Sequence, residues 1–188
     1  MSIASNIAEI RKNIPKHVLL VCVSKFHSND DIMQAYNVGE RVFGESKVQE
    51  MCAKYESLPK DIKWHFIGHL QSNKVKYIVP FVDLIHGVDS IKLLAEIEKQ
   101  AAKIGRKQQC LLQIHIAKED TKFGFSSHDN TYLKAIKKVI DAPHINFDGI
   151  HCHVGSQIEE IQAHQFLWAQ IFLLERQISS IEIYRKSY

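Results

Sequence analysis

Short apolar runs alternate along this chain with segments whose apolar residues recur at helical spacing. The run from His17 to Lys25 is almost continuously apolar and β-branched, which is typical of a strand buried on both faces of a parallel sheet. The clearest helix follows Ser90, which can cap it, and ends at Gly105. Further strands are predicted at 41–43, 64–69, 82–89, 110–116 and 147–155.

Helical segments are predicted between these strands. The pattern places them near the amino terminus and at 30–37, with Asn29 as the cap, then at 47–55, 72–79, 132–140 and 158–178. Six rounds of strand and helix indicate an α/β protein with parallel strands. Two architectures fit this alternation, an open doubly wound sheet and a (β/α)8 TIM barrel.

The absence of nucleotide-binding fingerprints bears on that choice. The chain contains neither GxGxxG nor GxxxxGK[ST], so neither motif supports the open sheet. Six βα units are two short of a closed barrel. We therefore expect an α/β, TIM-barrel-like fold that stops after about six βα units, with residues 1–188 forming a single incomplete barrel domain.

Composition narrows the class of protein. The chain has 188 residues, of which 45% are hydrophobic and 24% charged, with a net charge of +3, as in ordinary globular proteins. Lys and Arg are scattered, so we expect no nucleic-acid partner. The longest apolar run, Val18–Val23, is too short to span a bilayer. The four cysteines form no CxxC pair, which favours reduced thiols and a cytoplasmic location.

Polar residues at the carboxyl ends of the predicted strands are the candidates for chemistry, because sites of parallel α/β folds lie there. Lys25 comes first, since a partly desolvated amine is a nucleophile for Schiff-base formation. A solvated lysine at a strand end is the alternative, and position alone favours it. The other candidates are Ser24, Glu45, Ser46, His69, His86, Asp89, His115, His151, His153 and Ser156.

The last predicted strand carries two histidines and a small turn. His151 and His153 point to the same side of a strand, which leaves a metal site open. No carboxylate lies close in sequence and HExxH is absent, so packed or hydrogen-bonded histidines are favoured. The Gly155-Ser156 turn could bind a phosphate, although an ordinary βα turn is the more frequent explanation of such a dipeptide.

Three stretches carry a family resemblance: Val21–Glu50, Trp64–Ser90 with its HFIGHLQSNK block, and Cys110–Phe125. They resemble the pyridoxal phosphate homeostasis protein family, which is similar to the N-terminal barrel domain of alanine racemase. The resemblance covers residues 1–126. It implies that Lys25 forms the internal aldimine with pyridoxal 5'-phosphate (PLP). It also implies a role for Lys122 in cofactor exchange and places Ser46 where the family often has Asn.

The sequence departs from that family after Ser126. Instead, the stretch at 147–158, with its HCHVGS motif, resembles diaminopimelate decarboxylase and related enzymes that use the same cofactor. This second resemblance implies that His153 stacks on the cofactor ring and that Ser156 contacts its phosphate. Both resemblances place the cofactor in the same fold.

Together the resemblances imply a PLP-binding protein with a role in vitamin B6 and amino-acid homeostasis and without established catalysis. A PLP-dependent fold-type III racemase or decarboxylase is the alternative, disfavoured because 188 residues leave no room for a second β-domain. A metal-dependent hydrolase and a non-functional remnant are further alternatives. The resemblance implies a monomer, but an unclosed barrel exposes two edges, so we expect marginal stability or oligomerisation here, for example as a dimer.

Overall fold

Parallel strands form the sheet of this protein. The computed structural model describes residues 2–115, 123–126 and 131–152. In that part of the chain the strands are β1 (Cys22–Val23), β2 (Val42–Glu45), β3 (Lys63–Phe66), β4 (Leu84–Val88), β5 (Gln108–His115), β6 (Phe125–Ser126) and β7 (Ile145–Cys152). The order is β1-β2-β3-β4-β5-β6, and β7 also pairs with β5. Every pairing is parallel.

Helices connect these strands. They are α1 (Ile3–Asn13), α2 (Asn29–Asn37), α3 (Val48–Ser57), α4 (Val75–Ile78), α5 (Ile91–Lys103) and α6 (Thr131–Ile140), and a turn of 3-10 helix at Ser72–Lys74 leads into α4. From β1 to β5 the strands lie side by side in chain order, as in a barrel wall, whereas a doubly wound sheet reverses its strand order. The α/β, barrel-like prediction is therefore confirmed, while the domain bounds stay a prediction.

The hydrophobic core lies between one face of the sheet and the helices. Along β5 the side chains alternate strictly between buried and half-buried, as expected for a strand with two different environments. The buried set packs with residues of α5 and α6, and its largest members include Trp64, Phe66, Leu94, Ile97 and Tyr132. Burying such side chains is the main source of the stability of the fold.

The opposite face of the sheet, called the inner face below, carries Val23, Gly44, His65, His86 and His151. Register places Val23 beside Gly44 and Gly44 beside His65. The ring of His86 then contacts the rings of His65 and His151. Two strand spacings amount to about 10 Å, yet the His86 and His151 centroids are 5.9 Å apart. The inner-face side chains therefore converge, as they do inside a curved sheet.

The first strand and the first cap differ from the sequence prediction. β1 covers only Cys22–Val23 instead of 17–25, and Val18 and Leu19 are exposed. Pairing with β2 starts only at Cys22, and within the described ranges the residues before it have no partner strand. The cap of α2 is Ser28 rather than Asn29, because Ser28 and Asp31 form a reciprocal capping box.

One further difference, and two predictions that the structure does not test, concern the later part of the chain. The two-residue strand β6 has no counterpart in the predicted pattern. The predicted helix at 158–178 and the end of the predicted strand at 147–155 lie outside the described residues. Among the helices that are described, none has both the length and the apolar character needed to cross a bilayer.

Candidate functional site

Lys25 lies in the turn that follows β1, and its side chain is exposed. The turn begins at Ser24, whose N–H still donates to Gly44 O of β2 at 3.0 Å, and closes where His27 N–H donates to Ser24 O at 3.0 Å. Lys25 stands two positions after Val23, the next position of the inner-face alternation. The structure therefore places this amine at the carboxyl end of the sheet, where the sequence predicts it.

Ser46 follows the neighbouring strand β2 and is half-buried. Its backbone is in close contact with Gly68, just beyond β3, where an added Cβ would lie 2.3 Å from Ser46 O. Because β1, β2 and β3 are parallel, Lys25, Ser46 and Gly68 lie at the same edge of the sheet. Two of the five predicted cofactor residues, Lys25 and Ser46, therefore lie at the same edge of the sheet.

The other three predicted cofactor residues, Lys122, His153 and Ser156, lie outside the described residues. Their roles therefore stay predictions. The strand that leads toward His153 is β7, and its pairing with β5 extends as far as Cys152.

Behind the Lys25 turn lies a buried ionic cluster that sequence reasoning missed. Lys54 Nζ on α3 donates to Ser24 O at 2.7 Å, to Glu45 Oε1 at 2.8 Å and to Glu50 Oε1 at 2.7 Å. The Lys54 side chain is 7% exposed and that of Glu45 0%. The hydrogen bond from Lys54 holds the pKa of Glu50 below its usual value. The available signal was the spacing of Glu50 and Lys54, which allows an ion pair on one helix face.

At the carboxyl ends of β3 and β4, His69 pairs with Asp89. His69 Nδ1 lies 2.9 Å from Asp89 Oδ2, and the His69 ring stacks on Phe123 with 3.8 Å between centroids. Gln113 Nε2 donates to Phe123 O at 2.8 Å. These contacts form a second polar group at the same edge of the sheet, and they attach Phe123, two residues before β6, to it.

Burial disfavours the charged forms of two inner-face histidines, His65 and His86. His86 Nε2 lies 3.0 Å from His65 Nδ1, so one ring donates to the other. Burial, reinforced by the imidazoles of His65 and His151, lowers the pKa of His86 to about 4. Burial also lowers the pKa of His65. Within the described ranges, no group of His, Cys, Asp and Glu side chains is arranged to hold a metal ion.

The sequence matches the family described as "Alanine racemase, N-terminal domain" over residues 1–186. The chain belongs to this family. Among the curated relatives of this chain is the pyridoxal phosphate homeostasis protein of Aquifex aeolicus. It is 44% identical over 106 residues, which are 56% of this chain and 46% of that protein. The family resemblance seen in the sequence is thus confirmed.

Two further relatives match a larger share of this chain. The pyridoxal phosphate homeostasis protein of Pasteurella multocida is 33% identical over 163 residues, 80% of this chain and 69% of that protein. The solved structure of PipY of Synechococcus elongatus with PLP bound is similar to this chain with a TM-score of 0.82 and 31% sequence identity. The match includes 95% of this chain and 82% of the PipY chain. The chain spans about half the length of the Aquifex protein.

The lowered pKa of the half-buried His86 predicts a loss of stability in acid. An unfolded His86, with a pKa near 6.5, takes up a proton that the folded ring refuses until about pH 4. The stabilisation is therefore complete above pH 6.5 and is lost as the pH falls toward 4. After allowance for partial solvent exposure, we expect about 1–2 kcal/mol to disappear across this window.

Urea unfolding at a series of pH values checks this expectation. The His86→Gln variant keeps a hydrogen-bonding amide beside His65 but cannot titrate. Its free energy of unfolding should fall less between pH 6.5 and 4 than that of the wild-type chain. Equal slopes for the two proteins would show that His86 does not contribute to the acid sensitivity.

Proposed function

We propose that this chain binds PLP reversibly through a Schiff base on Lys25 and serves PLP homeostasis without catalysing a reaction of its own. The observation that carries the proposal is the exposed Lys25 amine at the carboxyl end of β1, in a chain whose relatives are named pyridoxal phosphate homeostasis proteins. The solved structure of PipY with PLP bound supports the same cofactor.

The surroundings of Lys25 fit a planar aromatic aldehyde. Val23 is 50% exposed on the inner face, where Gly44 of the next strand has no side chain to cover it, and Phe26 is 73% exposed. Accessible apolar side chains beside a primary amine suit a ring that carries a reactive carbonyl. When bound, PLP supplies an electrophilic aldehyde and an electron-withdrawing pyridine ring.

The Lys25 amine would hold the cofactor: its nitrogen would bond to the aldehyde carbon, and its two hydrogens would leave with the aldehyde oxygen as water. We propose that Ser46, which follows the neighbouring strand β2, contacts the cofactor, that His153 stacks on its ring and that Ser156 binds its phosphate. Lys122 is proposed to take part in cofactor exchange.

We also propose a cytoplasmic location. Cys22, Cys52 and Cys110 are free thiols. Burial raises the pKa of Cys22 to about 11 and raises that of Cys110 further. Thiols held protonated in this way are poor nucleophiles, so they do not compete with Lys25 for the aldehyde.

Titration with PLP followed by borohydride reduction and peptide mass mapping tests the proposal. We expect a visible absorbance band and a reduced pyridoxyl group on Lys25, both lost in Lys25→Ala. Lys92→Ala, which removes an exposed lysine from α5, is the matched control and should label like the wild type. Label spread evenly over surface lysines, or unchanged in Lys25→Ala, would contradict the proposal.

A further inference from the structure

The turn that carries Lys25 contains an unfavourable backbone conformation. Phe26, the next residue, has a φ of 66° and is not glycine. Such a left-handed conformation costs a bulky residue free energy and persists only where neighbouring groups hold it. A specific interaction must therefore keep the Ser24–His27 turn in this shape.

That interaction is a set of hydrogen bonds to the buried cluster of Glu45, Glu50 and Lys54. Phe26 N–H donates to Glu50 Oε1 at 2.7 Å, and Ser24 O accepts from Lys54 Nζ at 2.7 Å. The residues on both sides of Lys25 are thus attached to helix α3. Ser24 Oγ also donates to Glu45 Oε1 at 2.6 Å, which attaches the turn to β2.

Lys54 itself cannot serve as a second reactive amine. Its three N–H groups are directed to Ser24 O, Glu45 Oε1 and Glu50 Oε1, which is the full donor capacity of an ammonium group. Its side chain is only 7% exposed, whereas Lys25 is exposed. The cluster therefore fixes the backbone on both sides of Lys25, and Lys25, not Lys54, is the accessible amine.

We propose that the Glu45–Glu50–Lys54 cluster positions the Lys25 amine for addition to the PLP aldehyde by fixing the Ser24–His27 turn. This inference rests on the proposed function. Glu50 is the positioning residue that can be changed with least damage to the core, because its side chain is 22% exposed while that of Glu45 is fully buried. Holding a nucleophile in a reactive orientation accelerates its addition.

The test compares Glu50→Ala with Glu50→Gln and with Glu56→Ala. The glutamine keeps a side-chain oxygen that can accept from Phe26 N–H, and Glu56 is an exposed carboxylate on the same helix. We expect the second-order rate constant for formation of the Lys25 adduct with PLP to fall about tenfold or more in Glu50→Ala. It should stay within about twofold of the wild type in the other two variants.

A measurement without cofactor tests directly whether the hydrogen bond from Phe26 N–H to Glu50 holds the turn. Hydrogen exchange of the Phe26 amide should be faster in Glu50→Ala than in the wild type and in Glu56→Ala, since the amide loses its acceptor. Thermal unfolding of each variant shows whether the whole fold, and not only the turn, has changed. A general loss of stability would speed hydrogen exchange throughout the sheet. Loss of the hydrogen bond between Phe26 and Glu50 alone would speed exchange only at the Ser24–His27 turn.

The outcomes separate the two proposals. A wild-type chain that forms no adduct on Lys25 contradicts the proposed function and this inference with it. A wild-type chain that forms the adduct, together with a Glu50→Ala variant that is folded and reacts equally fast, overturns the positioning role alone. Slow reaction and fast Phe26 exchange in Glu50→Ala, both restored in Glu50→Gln, support the inference.

Discussion

Replacing Gly68 by alanine is expected to lower the free energy of unfolding by about 3 kcal/mol or more. An added Cβ would lie 2.3 Å from Ser46 O, 2.8 Å from Ser46 Cα and 2.9 Å from Ser46 C. All three are backbone atoms, so no side-chain rotation can relieve the contact. The segments that follow β2 and β3 would have to separate at the edge of the sheet that carries Ser46.

Gly44→Ala is the matched control for this substitution. There the added Cβ would lie 3.1 Å from Ile67 Cδ1 and 3.1 Å from Val21 Cγ1, which are the ends of side chains that can move. We expect a cost of about 1 kcal/mol or less. Urea denaturation of both variants checks the comparison, and equal stability of Gly68→Ala and Gly44→Ala would show that the contact at Ser46 is not restrictive.

The regular elements could be predicted where a local pattern determines them. Helix α5 begins after Ser90 and ends near Gly105 as predicted, because its cap and its apolar spacing are both local. Strand β1 could not be placed correctly from its apolar run, because a strand requires a partner and β2 pairs only from Cys22 onward. The cap of α2 was predictable in principle, since Asp31 completes a capping box with Ser28 and not with Asn29.

The candidate site likewise contains residues whose location follows from the local sequence pattern and residues that only the fold brings together. The location of Lys25 and Ser46 could be predicted because parallel strands present their carboxyl ends at one edge of the sheet, while their roles toward the cofactor stay predictions. Lys54 could not be linked to Ser24 from sequence, because 30 residues separate the two and a helix brings the ammonium back to the turn. The roles of Lys122, His153 and Ser156 depend on resemblance and stay predictions.

Substituting Lys54 by methionine is the second change for which we expect a large effect, about 3–5 kcal/mol of lost stability. Methionine has a similar length but leaves the fully buried Glu45 carboxylate with Ser24 Oγ as its hydrogen-bond donor in the described part of the chain. Glu45 Oε2 already lacks a hydrogen-bond partner among the described residues. An uncompensated buried charge is costly because water no longer solvates it.

The pair of Lys99 and Glu96, which is much less buried than the pair of Lys54 and Glu45, provides the control. It lies on α5 with 3.7 Å between Nζ and Oε2, and the Lys99 side chain is 64% exposed. Lys99→Met should therefore cost less than about 0.5 kcal/mol. Chemical denaturation of the two variants compares the loss of a buried ion pair with the loss of a more exposed one, and equal stabilities would contradict the structural importance of Lys54.

A double variant separates the cost of the buried charge from the cost of the missing cation. In Lys54→Met with Glu45→Gln, the residue at position 45 is neutral, so the desolvation penalty disappears and much of the lost stability should return. The Ser24–His27 turn still lacks the Lys54 donor in this double variant. Recovery of stability without recovery of rapid Lys25 labelling would show that the cluster contributes to the geometry of the turn independently of its contribution to stability. Recovery of both would assign the effect of Lys54 to stability alone.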